Sequence, residues 1–139
     1  MNIHMKIEVA RKQGLIMTKK LTLNETNESL SMFNILLSMD INSNLEDKGY
    51  DLVMRFSDNY EFYSKILIIE FKFITNLNFL NFGGENFHLL DFVIEKNTDG
   101  WENVNYDVFC IDNDLIDFRC KKFEAEIKEI KSFDEIYLL

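Results

Sequence analysis

Six residues in the second half of the chain, Glu95-Lys96-Asn97-Thr98-Asp99-Gly100, have the oxygen spacing that opens a calcium loop. Side-chain oxygens stand at the first, third and fifth positions, and glycine stands at the sixth, where such a loop turns sharply. The match ends there: the first position is Glu rather than Asp, and the twelfth is Tyr106 where a bidentate Glu belongs. The flanking segments alternate as strands do, so a plain turn is expected. His4, His88, Cys110 and Cys120 are the only His and Cys residues, and no two are spaced as a zinc ligand pair.

Nucleophilic chemistry finds no motif either. Gly-x-Ser-x-Gly is absent. Cys110 or Cys120 could meet His88 in space, but both cysteines fall on the apolar side of a hairpin, where an inert buried thiol is the usual outcome. Carboxylate pairs abound (Asp112 and Asp114, Glu124 and Glu126, Asp134 and Glu135), and charged pairs of this kind ordinarily face solvent. Gly83-Gly84 has no following Lys and no helix whose N-terminus would hold a phosphate. No cofactor or metal is implied, and the chain is expected to be non-enzymatic.

The segments that carry these residues alternate with period two. Ile3, Met5, Ile7 and Val9 form one apolar face, and Phe33, Ile35, Leu37, Met39 and Ile41 a second. Tyr50, Leu52, Met54 and Phe56 follow, then Leu67, Ile69, Phe71 and Phe73 opposite Glu70 and Lys72. Leu77 and Phe79 lead to the Gly83-Gly84 turn, and Leu90, Phe92 and Ile94 come after it. Between Val104 and Cys120 a three-residue loop, Asp112-Asn113-Asp114, would set Tyr106 against Cys120, Val108 against Phe118 and Cys110 against Ile116. That register pairs Asp107 with Arg119 on the other face and keeps one face apolar. Near the C-terminus Phe123, Ile127 and Ile130 have helical spacing, while Phe123, Ala125 and Ile127 alternate as a strand would. The strand is preferred, continuing past a bulge near Lys121-Lys122, with a short C-terminal helix as the alternative. The fold expected is all-β and mainly antiparallel: one domain over residues 1–139, built as a sandwich or open barrel. Residues 1–16 would be an N-terminal extension if Met17 is the start.

Composition agrees with sheets. Thirteen Phe and five Tyr are heavy aromatic usage, and Ala appears only at Ala10 and Ala125. At 139 residues and 47% hydrophobic content the chain can build its own core. Glu70 ends the apolar run Ile66 to Ile69, so no stretch spans a membrane as a helix, and two cysteines make no disulfide framework. A cytoplasmic protein is expected. The net charge of −9 is uneven: residues 1–20 carry +4, residues 21–120 carry −12 and the remainder −1. The central region would repel nucleic acid phosphates and attract a basic protein partner, although a negative surface also serves solubility alone.

Two features could serve binding. Asp99, Glu102, Asp107, Asp112, Asp114 and Asp117 follow one another with no basic residue between them, and Trp101, the only tryptophan, lies among them. Tryptophan is a frequent interface anchor, but one at a strand start also serves as a core plug. The candidate partner-binding residues are Asp99, Trp101, Glu102, Asp112, Asp114 and Asp117. The second feature is Tyr60, Phe62 and Tyr63 beside Asp58 and Glu61, which would suit a protein partner, a stacked small molecule or glycan, or a strand entering the core.

Phe92-Val93-Ile94, Asp99-Gly100-Trp101-Glu102, Asn105-Tyr106-Asp107-Val108 and Ile116-Asp117-Phe118-Arg119-Cys120 together resemble small β-rich bacterial proteins encoded near polymorphic toxins, the immunity type among them. The resemblance covers residues 92–120 and carries no catalytic residues. It implies a stoichiometric protein-binding role, neutralising a basic toxin by covering its active surface. The alternative class is a small-molecule or glycan-binding β module. Because any ligand of the folded state raises stability by mass action, melting in chelator and in excess calcium should give one midpoint. A calcium-dependent rise lost on Asp99→Ala would restore the calcium loop.

Overall fold

Thr22-Leu23-Asn24-Glu25 is a capping box, and it starts a helix that the strand periodicity did not announce. The Thr22 hydroxyl accepts from the Glu25 N–H, and the Glu25 carboxylate accepts from the Thr22 N–H, satisfying two donors that a helix start leaves open. The computed structural model describes residues 19–58, 65–80, 84, 87–112 and 115–130. The expected strand at Ile3 to Val9, the Tyr60, Phe62 and Tyr63 group, Gly83, Asn113, Asp114 and everything after Ile130 lie outside the described residues.

Within them the helix α1 (Leu23–Met32) is followed by β1 (Ile35–Asn44), β2 (Gly49–Ser57), β3 (Lys65–Lys72), β4 (Thr75–Phe79), β5 (Phe87–His88), β6 (Phe92–Lys96), β7 (Tyr106–Cys110), β8 (Ile116–Cys120) and β9 (Lys122–Glu129). The strands form two open sheets, neither closed into a barrel. The first runs β5-β1-β2-β3-β9 and the second β4-β8-β7-β6, all pairings antiparallel. The fold is therefore all-β in the sense expected, with one short helix among the described residues. The segment with helical spacing, Lys122–Glu129, is strand. Its register sets Phe123, Ala125 and Ile127 opposite Phe71, Ile69 and Leu67.

Leu52, Met54 and Phe56 of β2 and Leu67, Ile69 and Phe71 of β3 form the inner face of the first sheet. They meet Phe92, Ile94, Val108, Ile116 and Phe118 of the second. Rings cross the gap edge-on: Phe71 and Phe118 lie 4.8 Å apart at 83°. Strand β3 is apolar on both sides. Ile66 and Ile68 are buried on the outer face in a second cluster with Ile130, against which Leu37 and Val53 pack.

The face expected from Phe33 to Ile41 is broken by a bulge. Leu36 pairs with Phe56 and Ser38 with Arg55, so Leu37 is the extra residue. Leu36 enters the main core, Leu37 joins the outer cluster, and Met39 returns to the main core. A similar shift places Leu89, not Leu90, in the core, because the backbone of Asp91 turns through φ +57 before β6.

The sheets are joined by a bent ribbon. Strands β3 and β9 pair in the first sheet and end at Lys72 opposite Lys122. Their continuations β4 and β8 pair in the second, from Thr75 opposite Arg119. The Lys121 N–H donates to the Lys72 carbonyl at 2.9 Å across the bend. Thus the strand expected to continue past Lys121 does continue, but in the other sheet. Phe73 makes the turn at φ +54, and its N–H donates to Asp51 Oδ1 at 3.0 Å. The Ile74 N–H donates to the Tyr50 carbonyl. The Phe73 ring lies over Gly49, where an added Cβ would come within 2.6 Å of it. A side chain at that position would push the ring out of the corner.

Helix α1 lies beside β6. The Asn27 amide donates to the Ile94 carbonyl and accepts from the Ile94 N–H, both at 2.9 Å, as a neighbouring strand would.

At Asp51, burial opposes ionisation and is the largest single influence. The hydrogen bonds from Phe73 and Asn44 and the nearby Lys72 charge together outweigh it, and the carboxyl is held below its ordinary 3.8. A carboxyl depressed by folding stabilises fully above its unfolded value, and that contribution is lost as pH falls through the lower folded value. Asp51→Asn should therefore be less stable than wild type near neutrality. The gap in urea midpoint should narrow as the solution is acidified below the ordinary carboxylate range. A gap independent of pH would show that the Asp51 charge does not hold the corner.

Candidate functional site

The loop between β6 and β7 is built around Asn97. Its N–H donates to the Asn105 carbonyl at 2.8 Å, and its side-chain amide donates to both Asp107 carboxylate oxygens at 3.1 Å. Its side-chain oxygen accepts from the Asp99 N–H at 2.9 Å, an Asx-turn that aims the chain into Gly100 at φ +79. On the return side the Val104 N–H reaches the Trp101 carbonyl, and Val104 itself is buried. Asn105 ties the loop to the corner: its N–H donates to the Cys120 carbonyl, and its amide donates to the Lys121 carbonyl at 2.7 Å. A loop pinned at both ends presents whatever stands at its tip in a fixed place.

Trp101 stands there, with 65% of its surface exposed. It is not a core plug. Asp99 and Glu102 are exposed beside it in the sequence. These three of the six candidate residues share one loop. Asp117 and Asp112 do not join them. Asp117 is on β8, on the face away from the core, where its carboxylate accepts from Asn78 at 2.9 Å. Asp112 lies beyond the far end of β7, separated from the Trp101 loop by that strand's length, roughly 13 Å at about 3.3 Å per residue. Asp114 is outside the described residues. The stretch that is continuous in sequence is therefore spread along a sheet, with acids at both ends and on one face.

The hairpin register is the expected one: Tyr106 opposes Cys120, Asp107 opposes Arg119 and Val108 opposes Phe118. Asp107 and Arg119 form an ion pair at 3.4 Å. With Asn76, Asn78 and Asp117 they line a shallow cleft of about 250 Å³ on the outer face of the second sheet. A second cleft of about 170 Å³ on the first sheet is floored by Val53 and Ile68 and walled by Arg55, Glu70 and Glu126. Arg55 binds Asp40 at 2.5 Å and Ser38 at 3.2 Å, while its Nε has no partner. Among the described residues no three His, Cys, Asp or Glu gather as a metal site, and no helix is long and apolar enough to cross a membrane.

Two contributors stand outside the candidate set. The turn expected at Asn97 to Gly100 is present, and the part the sequence did not assign is the role of Asn97 in holding the loop. Asp91 sits close enough to Asp112 for their carboxyls to share a hydrogen bond, which nothing in the linear spacing suggests.

No family model, curated protein or solved structure matches the chain.

Cys110 and Cys120 are free thiols buried in the core. Burial, with Asp107 nearby, pushes the Cys120 thiol up to about 12, and burial likewise raises Cys110. Since the thiolate is the reactive form, native protein at neutral pH should react very slowly with a thiol-specific disulfide reagent. Both thiols should titrate promptly in denaturant. Rapid reaction of either thiol in the native state would show that the hairpin face is open.

Proposed function

We propose that this protein is a non-enzymatic binding domain for a basic protein partner, and that Trp101 anchors the contact. The observation that carries the reading is the exposure of Trp101 on a braced loop between two carboxylates. A large aromatic held rigid in water gives up little conformational freedom on binding, and such anchors supply much of the affinity of protein interfaces. Asp99 and Glu102 beside it would steer a cationic partner and speed the encounter.

The resemblance of residues 92–120 to immunity-type proteins sharpens this. On that reading the domain acts in the cytoplasm on a basic toxin and covers the toxin's active surface. A small-molecule or glycan module has less support. The two clefts described are shallow, one walled by charged and amide groups and the other by charged groups over Val53 and Ile68, whereas ligand pockets are usually larger and mostly apolar. The aromatic group suggested for stacking, around Tyr60, falls outside the described residues.

The test is co-expression with a toxin encoded beside this protein, scored by growth, followed by binding kinetics. Wild type should rescue growth. Trp101→Ala should raise the dissociation rate and leave the melting midpoint nearly unchanged. Asp99→Lys with Glu102→Lys should slow association, and the effect should fade as salt rises. Failure of wild type to rescue or to bind would overturn the toxin reading. A Trp101→Ala variant that binds normally, or that loses the roughly 3–5 kcal/mol expected of a core aromatic, would overturn the anchor.

A further inference from the structure

At the end of the second sheet opposite the Trp101 loop, each of the four strands has an aliphatic residue next to it or one residue away. Leu80 follows β4, Leu115 precedes β8, Ile111 follows β7 and Leu90 precedes β6. Backbone hydrogen bonds tie Leu80 to Leu115 and Ile111 to Asp91, the neighbour of Leu90. The Leu80 N–H donates to the Leu115 carbonyl at 2.9 Å, and the Ile111 N–H donates to the Asp91 carbonyl at 3.0 Å. Leu80, Leu90 and Ile111 are 51%, 54% and 61% exposed, so the row is not part of the core. Single exposed aliphatics are ordinary, but three of them gathered at one sheet end are not.

The row carries charge of one sign. Asp91 and Asp112 stand beside Leu90 and Ile111, both exposed, and no Lys or Arg lies between residues 80 and 95 or between 97 and 118. The hydrogen bond between the two carboxyls, and the repulsion between their charges, raise Asp91 from its ordinary 3.8. A cation placed between them would remove that repulsion. A second copy of this chain would bring the same two carboxylates and add to it.

We propose that this sheet end, Leu80, Leu90 and Ile111 beside Asp91 and Asp112, docks a basic amphipathic segment of a partner protein. Apolar side chains of the segment cover the aliphatic row, and a Lys or Arg reaches the two carboxylates. The surface is separate from Trp101 and does not depend on that contact.

The probe is a synthetic peptide with leucines on one face and lysines on the other, titrated into isotope-labelled protein while backbone amide shifts are followed. A control peptide carries glutamate in place of lysine. Saturable shifts centred on Leu80, Leu90, Asp91, Ile111 and Asp112 are expected. They should weaken by about tenfold for the Leu90→Ser, Ile111→Ser double variant, the loss typical of removing an interface anchor. Both side chains are exposed, so the double variant should melt as wild type does, and Trp101→Ala should bind the peptide normally. Shifts centred on the Trp101 loop or scattered over the surface would overturn the proposal. So would equal binding of the glutamate peptide, or a dimer in sedimentation that Ile111→Ser abolishes, which would make a second copy the occupant.

Discussion

The architecture depends on a two-stranded ribbon that changes sheets halfway along its length. Paired strands running from one layer to the other must bend together, and bending forces one residue out of extended backbone. Phe73 takes that conformation, although a bulky side chain at positive φ is unfavourable in isolation. Three features hold it there: the Asp51 carboxylate on its N–H, the Tyr50 carbonyl on the next N–H, and a glycine where the ring needs room. Because β8 leaves the same corner, its partner β7 and the loop before β7 inherit their position from it. Asn105 makes the link explicit, binding Cys120 and Lys121 at the bend and ending the loop that carries Trp101. Among the described residues, the most exposed aromatic side chain is thus fixed by one of the most constrained turns.

The hairpin from Tyr106 to Cys120 was readable because its two faces differ so sharply that only one register keeps the apolar side chains together. A one-residue slip would have put Arg119 opposite Val108. Long apolar alternation likewise marked β2 and β3. The bulge at Leu37 was not readable, since Leu36 and Leu37 are both apolar and either can face inward. In the structure each does, toward a different cluster. Helix α1 escaped notice because its sequence, Leu23–Met32, has little apolar periodicity and its buried face includes Thr26 and Ser29. Its capping box was present and is a local signal, but the segment is held by tertiary contacts that a linear pattern does not reveal. The candidate site was legible only in part: residue types pointed to Trp101 and its flanking acids, while the separation of Asp112 from them depends on strand length and direction.

Charge in this protein is organised by face. The outer side of the second sheet is a hydrogen-bonded network in which Asp107 is held by Asn97 and paired with Arg119, and Asp117 is held by Asn78. The outer side of the first sheet is mixed, a buried aliphatic cluster beside ion pairs such as Lys128 with Glu126. Exposed acids stand at both ends of the second sheet, Asp99 and Glu102 at one and Asp91 and Asp112 at the other.

The Asn27 amide has a consequence for the protein in company with other chains. Strand β6 is the last of its sheet, and an unpaired strand edge is a template on which a foreign strand can add, the first step toward fibrous aggregation. One carboxamide occupies both hydrogen-bonding groups of Ile94 at the middle of that edge, and a helix stands where the next strand would lie. A single asparagine therefore does for solubility what many proteins achieve with charged or proline-bearing edges. Loosening the helix would expose a hydrophobic edge in a chain rich in phenylalanine.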